Sequence, residues 1–345
     1  MEFGKIVAEH TARYPRMTPP DCGKLAYQNA FGPEHLMADE GAVCARLLEE
    51  WNTVPVGTSQ REPEDIGGGL CRFYLYDSPE KELEAQVLVK LFCLTAKTHQ
   101  GSLSAMEENL EILEGLSVPG MKEWREASRA EGCPPVRHSG EYRQAYAPRY
   151  RLLKWEYARV FPTLVETARM LRDKGRAVVA IDGRCGSGKS TLGELMEQVF
   201  DCRVFHMDDF YLPKNRRAEN WMSIPGGNMD LERFKREVLK PVFAGEEVLY
   251  RPFDCSTGSL GAGEHFPPSP LTVIEGSYSH HPDLEAPYDL KIFLTCEKGE
   301  QRRRLMIREG DYFPTFEALW MPLEEQYIRL CRIEERGAVI FDTAK

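Results

Sequence analysis

A strand, a glycine loop and a helix follow one another without a break from residue 176, and no other feature restricts the fold as much. Residues 176–191 read RAVVAIDGRCGSGKST. Ala177 to Ile181 is a short, mostly β-branched apolar run, as a buried parallel strand should be. It enters Gly183-x4-Gly188-Lys189-Ser190, a complete G-x4-G-K-[ST] match. Leu192 to Phe200 follows with helical spacing. Gly183, Gly186 and Gly188 permit backbone angles that a side chain would forbid, so successive N–H groups can face phosphate oxygens. The helix start near Lys189 adds a positive dipole end. Lys189 supplies a point charge for the β- and γ-phosphates, and the Ser190 hydroxyl is placed to ligate Mg2+. With Ser187 and Thr191, these residues are expected to bind ATP and Mg2+. The loop does not by itself name an acceptor.

Length and charge bound the rest. A chain of 345 residues suggests about two domains. A hydrophobic fraction of 42% supports packed cores. A net charge of −10 argues against a nucleic-acid partner held on a broad basic surface. No apolar run approaches the ~18 residues of a membrane span, and the charged opening MEFGKIVAEHTARY lacks an apolar signal core. Ten scattered cysteines form no CxxC pair or Cys/His cluster, so reduced thiols and a cytoplasmic location are expected. Cys185, inside the loop, reads as a tolerated loop position, with an oxidisable thiol that blocks nucleotide entry as the alternative. Nothing in the sequence excludes a homo-oligomer.

The expected architecture is α/β: a parallel sheet flanked by helices over 156–345, preceded by a mainly α-helical domain over 1–155. Apolar spacing and breakers predict N-terminal helices near 21–30, 39–52, 79–98, 103–115 and 150–174. Ser78 reads as a cap with Pro79 at the first helical position. Leu70 to Tyr76 reads as one strand after the turn Gly67–Gly69. Farther on, strands are predicted at Ala177–Ile181, Arg203–Met207, Leu271–Ile274, Leu290–Thr295 and Val339–Phe341, with helices at 190–200, 231–240, 297–309 and 315–335. Ligands of such sheets sit beyond the strands' carboxyl ends. There the sequence puts Asp208 and Asp209 after one strand, and Glu275 after another. All three are well placed for Mg2+ or for accepting a hydroxyl proton.

The motifs MDDFY (207–211), GNMD (227–230), YRPFD (250–254), IEG (274–276) and QRRRLMIRE (301–309) occur in one order. Together they resemble the uridine kinase and phosphoribulokinase family over about residues 175–345. The resemblance implies ATP-dependent phosphorylation of a small-molecule hydroxyl, with a nucleoside as the first expectation. It implies Asp208 as catalytic base, and Ser190, Asp208 and Glu275 at the metal. It further implies Arg304 and Arg308 as lid arginines on the phosphates, and Asp230 as the carboxylate for sugar hydroxyls. Arg251, Phe253, Asp254, Tyr278 and His281 fall in the implied acceptor region. Phe253 stands where the family usually has tyrosine, and Gly258 where uridine kinases tend to carry histidine. A sugar, pantothenate-like or glycerate-like acceptor is therefore the alternative, and an ATP-binding regulatory protein a third.

Two N-terminal segments stand out. One is the turn Phe31-Gly32-Pro33-Glu34-His35. The other, Arg137 to Arg151, interleaves bases with aromatics. It reads either as an anion or nucleotide site, or as packing in which arginines stack on tyrosines.

Overall fold

The computed structural model describes residues 2–33, 39–116 and 118–344. The chain divides into two compact units, Met1–Val165 and Glu166–Lys345. Glu34 and His35 of the first N-terminal segment lie outside the described residues.

The first unit contains helices α1 (Glu2–Arg13), α2 (Pro19–Phe31), α3 (Glu40–Trp51), α4 (Lys81–Thr98), α5 (Leu103–Glu114), α6 (Met121–Ala130) and α7 (Gly140–Tyr146). It also holds an antiparallel sheet, β1 (Glu64–Gly67), β2 (Leu70–Tyr74) and β3 (Tyr150–Lys154). The expected helix over 150–174 is corrected here. Its first five residues form β3, pairing with all of β2 from Leu70↔Lys154 to Tyr74↔Tyr150, and α8 (Trp155–Lys174) starts only afterwards. Ladder pairing outweighs the weak helical spacing of those residues. The Ser78 cap is corrected too. The helix starts at Lys81, and Ser78 Oγ instead accepts from Glu80 N and donates to Glu84. Gly67, Gly68 and Gly69 all have positive φ and turn β1 into β2. Phe3, Val7, Leu25, Ile66, Leu110 and Leu152 anchor one apolar core.

The second unit is built on five parallel strands in the order β12-β11-β4-β10-β5. They are β4 (Ala177–Gly183), β5 (Cys202–His206), β10 (Leu271–Glu275), β11 (Leu290–Thr295) and β12 (Val339–Asp342). β4 lies centrally and is buried along its whole length, which explains its uninterrupted apolar sequence. Between β4 and β5 comes α9 (Lys189–Val199). After β5 the chain forms α10 (Leu231–Phe234), a π-helical turn and α11 (Lys240–Ala244). Two small hairpins follow, from β6 (Val248–Tyr250) with β9 (Glu264–Phe266), and from β7 (Phe253–Asp254) with β8 (Ser259–Leu260). After β11 come α12 (Lys298–Glu309), the short α13 (Phe313–Thr315) and α14 (Met321–Leu330). The second unit is therefore a parallel α/β sheet with helices around it. No helix among the described residues is long and apolar enough to cross a membrane.

Candidate functional site

The loop after β4 is held from behind. Gln301 Nε2 donates to Cys185 O at 2.9 Å. Arg304 Nη1 reaches Gly186 O at 3.3 Å, and Thr343 Oγ1 donates to Ser187 O at 3.0 Å. In a trans peptide the N–H points opposite to the carbonyl. Pulling the carbonyls of Cys185 and Ser187 backwards therefore turns the amides of Gly186 and Gly188 the other way. Neither amide meets a protein acceptor among the described residues. Cys185 N is fixed separately by Glu324 Oε2 at 2.8 Å. The base of the loop hangs on buried Asp182, which accepts from Gly183 N, His280 N and the Tyr327 hydroxyl at 2.7, 2.9 and 2.7 Å. A carboxylate in that position keeps three donors satisfied inside the core.

These tethers open one side of the loop to a cavity of about 600 Å³. Gly186, Gly188, Lys189, Ser190 and Thr191 form one wall, and Asp208, Glu275 and Arg308 face the same space. Lys189 Nζ lies on two neutral carbonyls, Gly183 O at 2.9 Å and Arg184 O at 3.2 Å. Ser187 is fully buried and its hydroxyl has no partner among the described residues. Glu275 Oε1 accepts from Ser190 Oγ at 3.1 Å and from His206 Nδ1 at 2.6 Å. The bond to Glu275 raises the pKa of His206 against the opposing effect of burial. Asp208 is accessible, but to a cavity whose walls surround it. This enclosure raises its pKa, Lys189 counteracts it and Glu275 adds to it. The Tyr211 hydroxyl donates to Asp208 Oδ1 at 3.1 Å.

The donor set suits a phosphate tail and Mg2+. The unused amides and the lysine ammonium match anionic oxygens. Mg2+ prefers a few oxygen ligands and keeps several waters. Ser190 Oγ and Glu275 provide such ligands, with Asp208 in the same wall. Among the described residues no three His, Cys, Asp or Glu side chains gather into a metal-binding group, so the site is no all-protein cage.

Several expected positions differ. Arg304 is not a cavity residue. Its guanidinium is taken up by Glu300 Oε1 (2.7 Å), Thr343 Oγ1 (2.8 Å), Thr343 O (2.7 Å) and Gly186 O, so only Arg308 of the lid pair faces the cavity. Of the expected acceptor residues, Tyr278 lines the cavity; Asp230, Arg251, Phe253, Asp254 and His281 do not. Asp230 caps α10 and accepts from Arg216 and Arg233. Arg251 is bound to Glu237, and Phe253 is buried in a hairpin. Asp254 folds a local turn, its pKa lowered to about 2 by hydrogen bonds from Ser256 and Thr257. His281 spends Nδ1 on Asp283 N and Nε2 on Pro225 O, and stacks on Tyr327. Cys185 is buried and its thiol pKa is pushed up by that burial, which favours the tolerated loop position over the oxidisable thiol.

Other cavity residues carried no sequence signal. Lys214, Arg217, Trp320 and Glu324 line it, beside Asn228 of the GNMD motif. Glu324 also accepts from Ser277 Oγ at 2.5 Å. It contacts the loop from 139 residues away, a proximity that no local pattern encodes.

No family model matches the chain, and no curated protein matches it. The solved structure of a possible uridine kinase from Bacillus stearothermophilus is similar to 52% of this chain and to 100% of its own, at 22% identity and a TM-score of 0.37.

Proposed function

We propose that the second unit is an ATP- and Mg2+-dependent phosphotransferase acting on a hydroxyl of a small molecule. The observation that carries the reading is the shared cavity. The loop's unused amides, Lys189, the Ser190–Glu275 pair and a carboxylate of raised pKa, Asp208, all face one space of metabolite size. Ser190 and Glu275, with Asp208 nearby, would hold Mg2+, which when bound neutralises charge on the phosphate oxygens. Lys189 now rests its full charge on neutral carbonyls, so exchanging them for anionic oxygens is favourable. Asp208 accepts the proton of the attacking hydroxyl, and its raised pKa brings it nearer to the working pH of a general base. Arg308 adds positive charge where the leaving oxygen develops negative charge.

A nucleoside acceptor is the reading closest to the family resemblance, and Tyr278 in the wall supports it. A second reading, an acidic alcohol such as a glycerate-like acid, is favoured by Lys214 and Arg217 on the same wall. Two cations suit an anionic acceptor better than a neutral one. ADP formation should be measured with Mg·ATP over nucleosides, polyols and hydroxy acids. Asp208→Asn should retain ATP binding and lose about 10²- to 10⁴-fold in transfer. Full transfer in that variant would reject Asp208 as base, and no ADP with any acceptor would reject the reading.

A further inference from the structure

The first unit encloses a second cavity, of about 280 Å³. Lys24 of α2, Arg46 of α3 and Arg151 of β3 line it, and no acidic side chain does so among the described residues. Arg151 is paired with Glu50 at 2.7 Å. The other two cations are not neutralised. Lys24 Nζ donates to a neutral carbonyl, Val136 O, at 3.2 Å, and Arg46 meets no carboxylate among the described residues. An ammonium has three donors, so Lys24 keeps donors to give. Burial, then the nearby Arg72, lowers its pKa to about 8, with Arg143 and Arg137 acting in the same direction and Asp21 against them. Around Lys24 the nearby cations outnumber the one carboxylate, Asp21.

The walls are also rigid. His138 Nδ1 faces Asp21 Oδ1 at 3.0 Å and its Nε2 faces the Tyr150 hydroxyl at 2.7 Å. Since ionised Asp21 can only accept, Nδ1 carries the proton and Nε2 accepts from Tyr150. Gln28 ties Tyr150 to fully buried Arg72, donating to the first at 3.1 Å and accepting from the second at 2.8 Å. The segment Arg137 to Arg151 thus contributes a preformed wall, in which Arg72 lies over the Tyr150 ring as the packing reading expects. Val43, Phe92 and Leu152 add apolar surface to the lining.

We infer that this cavity is a binding site for a small organic anion, a phosphate monoester or carboxylate joined to a compact apolar body. The charges of Lys24 and Arg46 take the acid group, and the Val43–Phe92–Leu152 surface takes the body. At about 280 Å³ the space is at the small end of ligand pockets, which favours a small acid over a nucleoside triphosphate. The site lies wholly within the first unit and is separate from the phosphate loop.

Calorimetric titration of the full chain with phenyl phosphate, benzoate and inorganic phosphate tests this. The Lys189→Ala background disables the phosphate loop. Phenyl phosphate or benzoate should still bind there at one site, and at least tenfold more tightly than inorganic phosphate. The tighter of the two identifies the acid group. Arg46→Glu, at an exposed position, and Lys24→Met should each weaken that binding at least tenfold, with thermal melts checking that both variants fold. Loss of all binding in Lys189→Ala alone would overturn the inference, as would unchanged binding in Arg46→Glu. Equal affinity for inorganic phosphate would remove the apolar body from it.

Discussion

Two glycines five residues apart in one loop are held by different constraints. A Cβ on Gly183, at φ +148°, would lie 2.1 Å from Leu294 O of the neighbouring strand. Backbone cannot yield as a side chain tip does. Gly183→Ala should therefore destabilise the second unit by roughly 3 kcal/mol, the upper part of the overpacking range. Thermal melting would read this as a lowered midpoint, with or without ATP. Gly188, at φ +95°, has nothing within 4 Å of its virtual Cβ and borders the cavity. Gly188→Ala should cost only about 1–2 kcal/mol of left-handed strain, yet weaken Mg·ATP binding at least tenfold in a titration. Wild-type affinity in Gly188→Ala would separate the triphosphate from this loop. Both glycines belong to a contiguous motif, which is why sequence alone could single them out. The partners that aim the loop, Gln301, Thr343 and Glu324, are distant in sequence and left no comparable trace.

Helix α12 shows how an element can carry two tasks on one face. Arg304 and Arg308 stand one turn apart, and the family resemblance assigns both to the phosphates. The structure separates them. Arg304 fastens the loop to Thr343, just after β12, and Arg308 faces the cavity. Arg304→Met should then act through loop position, raising the KM for ATP several-fold and leaving kcat within about twofold. Arg308→Met should lower kcat, because it removes charge expected to matter in the transition state. Steady-state kinetics distinguish these outcomes, and a kcat loss in Arg304→Met matching that of Arg308→Met would restore the original pairing. The same contrast marks what was legible at this scale. The central strands β4 and β10 could be read closely because their burial on both faces leaves plain apolar runs. β3 could not, since Tyr150 to Lys154 become a strand only by pairing with β2, a partner remote in sequence. Helix α6 escaped for the opposite reason: MKEWREASRA is short and polar overall, although Met121, Trp124, Ala127 and Ala130 recur on one face. In the acceptor region the motifs were visible, but Asp230, Arg251 and His281 are absorbed by neighbours that only the fold supplies.

Across the whole chain, four buried imidazoles set the response to acid. His10, His138, His280 and His281 are all buried, and burial lowers the pKa of each. His138 falls to about 4 despite the raising effect of its hydrogen bond to Asp21. A histidine whose native pKa lies below its unfolded value binds fewer protons when folded, so stability rises with pH. The stability from His138 is complete above about 6.5, the unfolded value. It is lost as pH falls from there to about 4, a window worth roughly 3 kcal/mol. Asp21, whose carboxyl is held below the usual range by bonds from His138, Ser139 and Thr18 against the effect of burial, extends the loss to lower pH. His206 and Asp208, both raised, act in the opposite sense but number two against four. Thermal unfolding followed at pH 7.5, 6.0 and 5.0 should therefore show the midpoint falling well before ordinary carboxylates titrate. His138→Gln can still donate to Asp21 and accept from Tyr150 while remaining neutral, so it should flatten that fall for the first unit. A midpoint constant between pH 7.5 and 5.0 would mean that these imidazoles are already charged, or solvated, in the folded chain. In that case the neutral tautomer of His138 behind the anion cavity would be wrong as well.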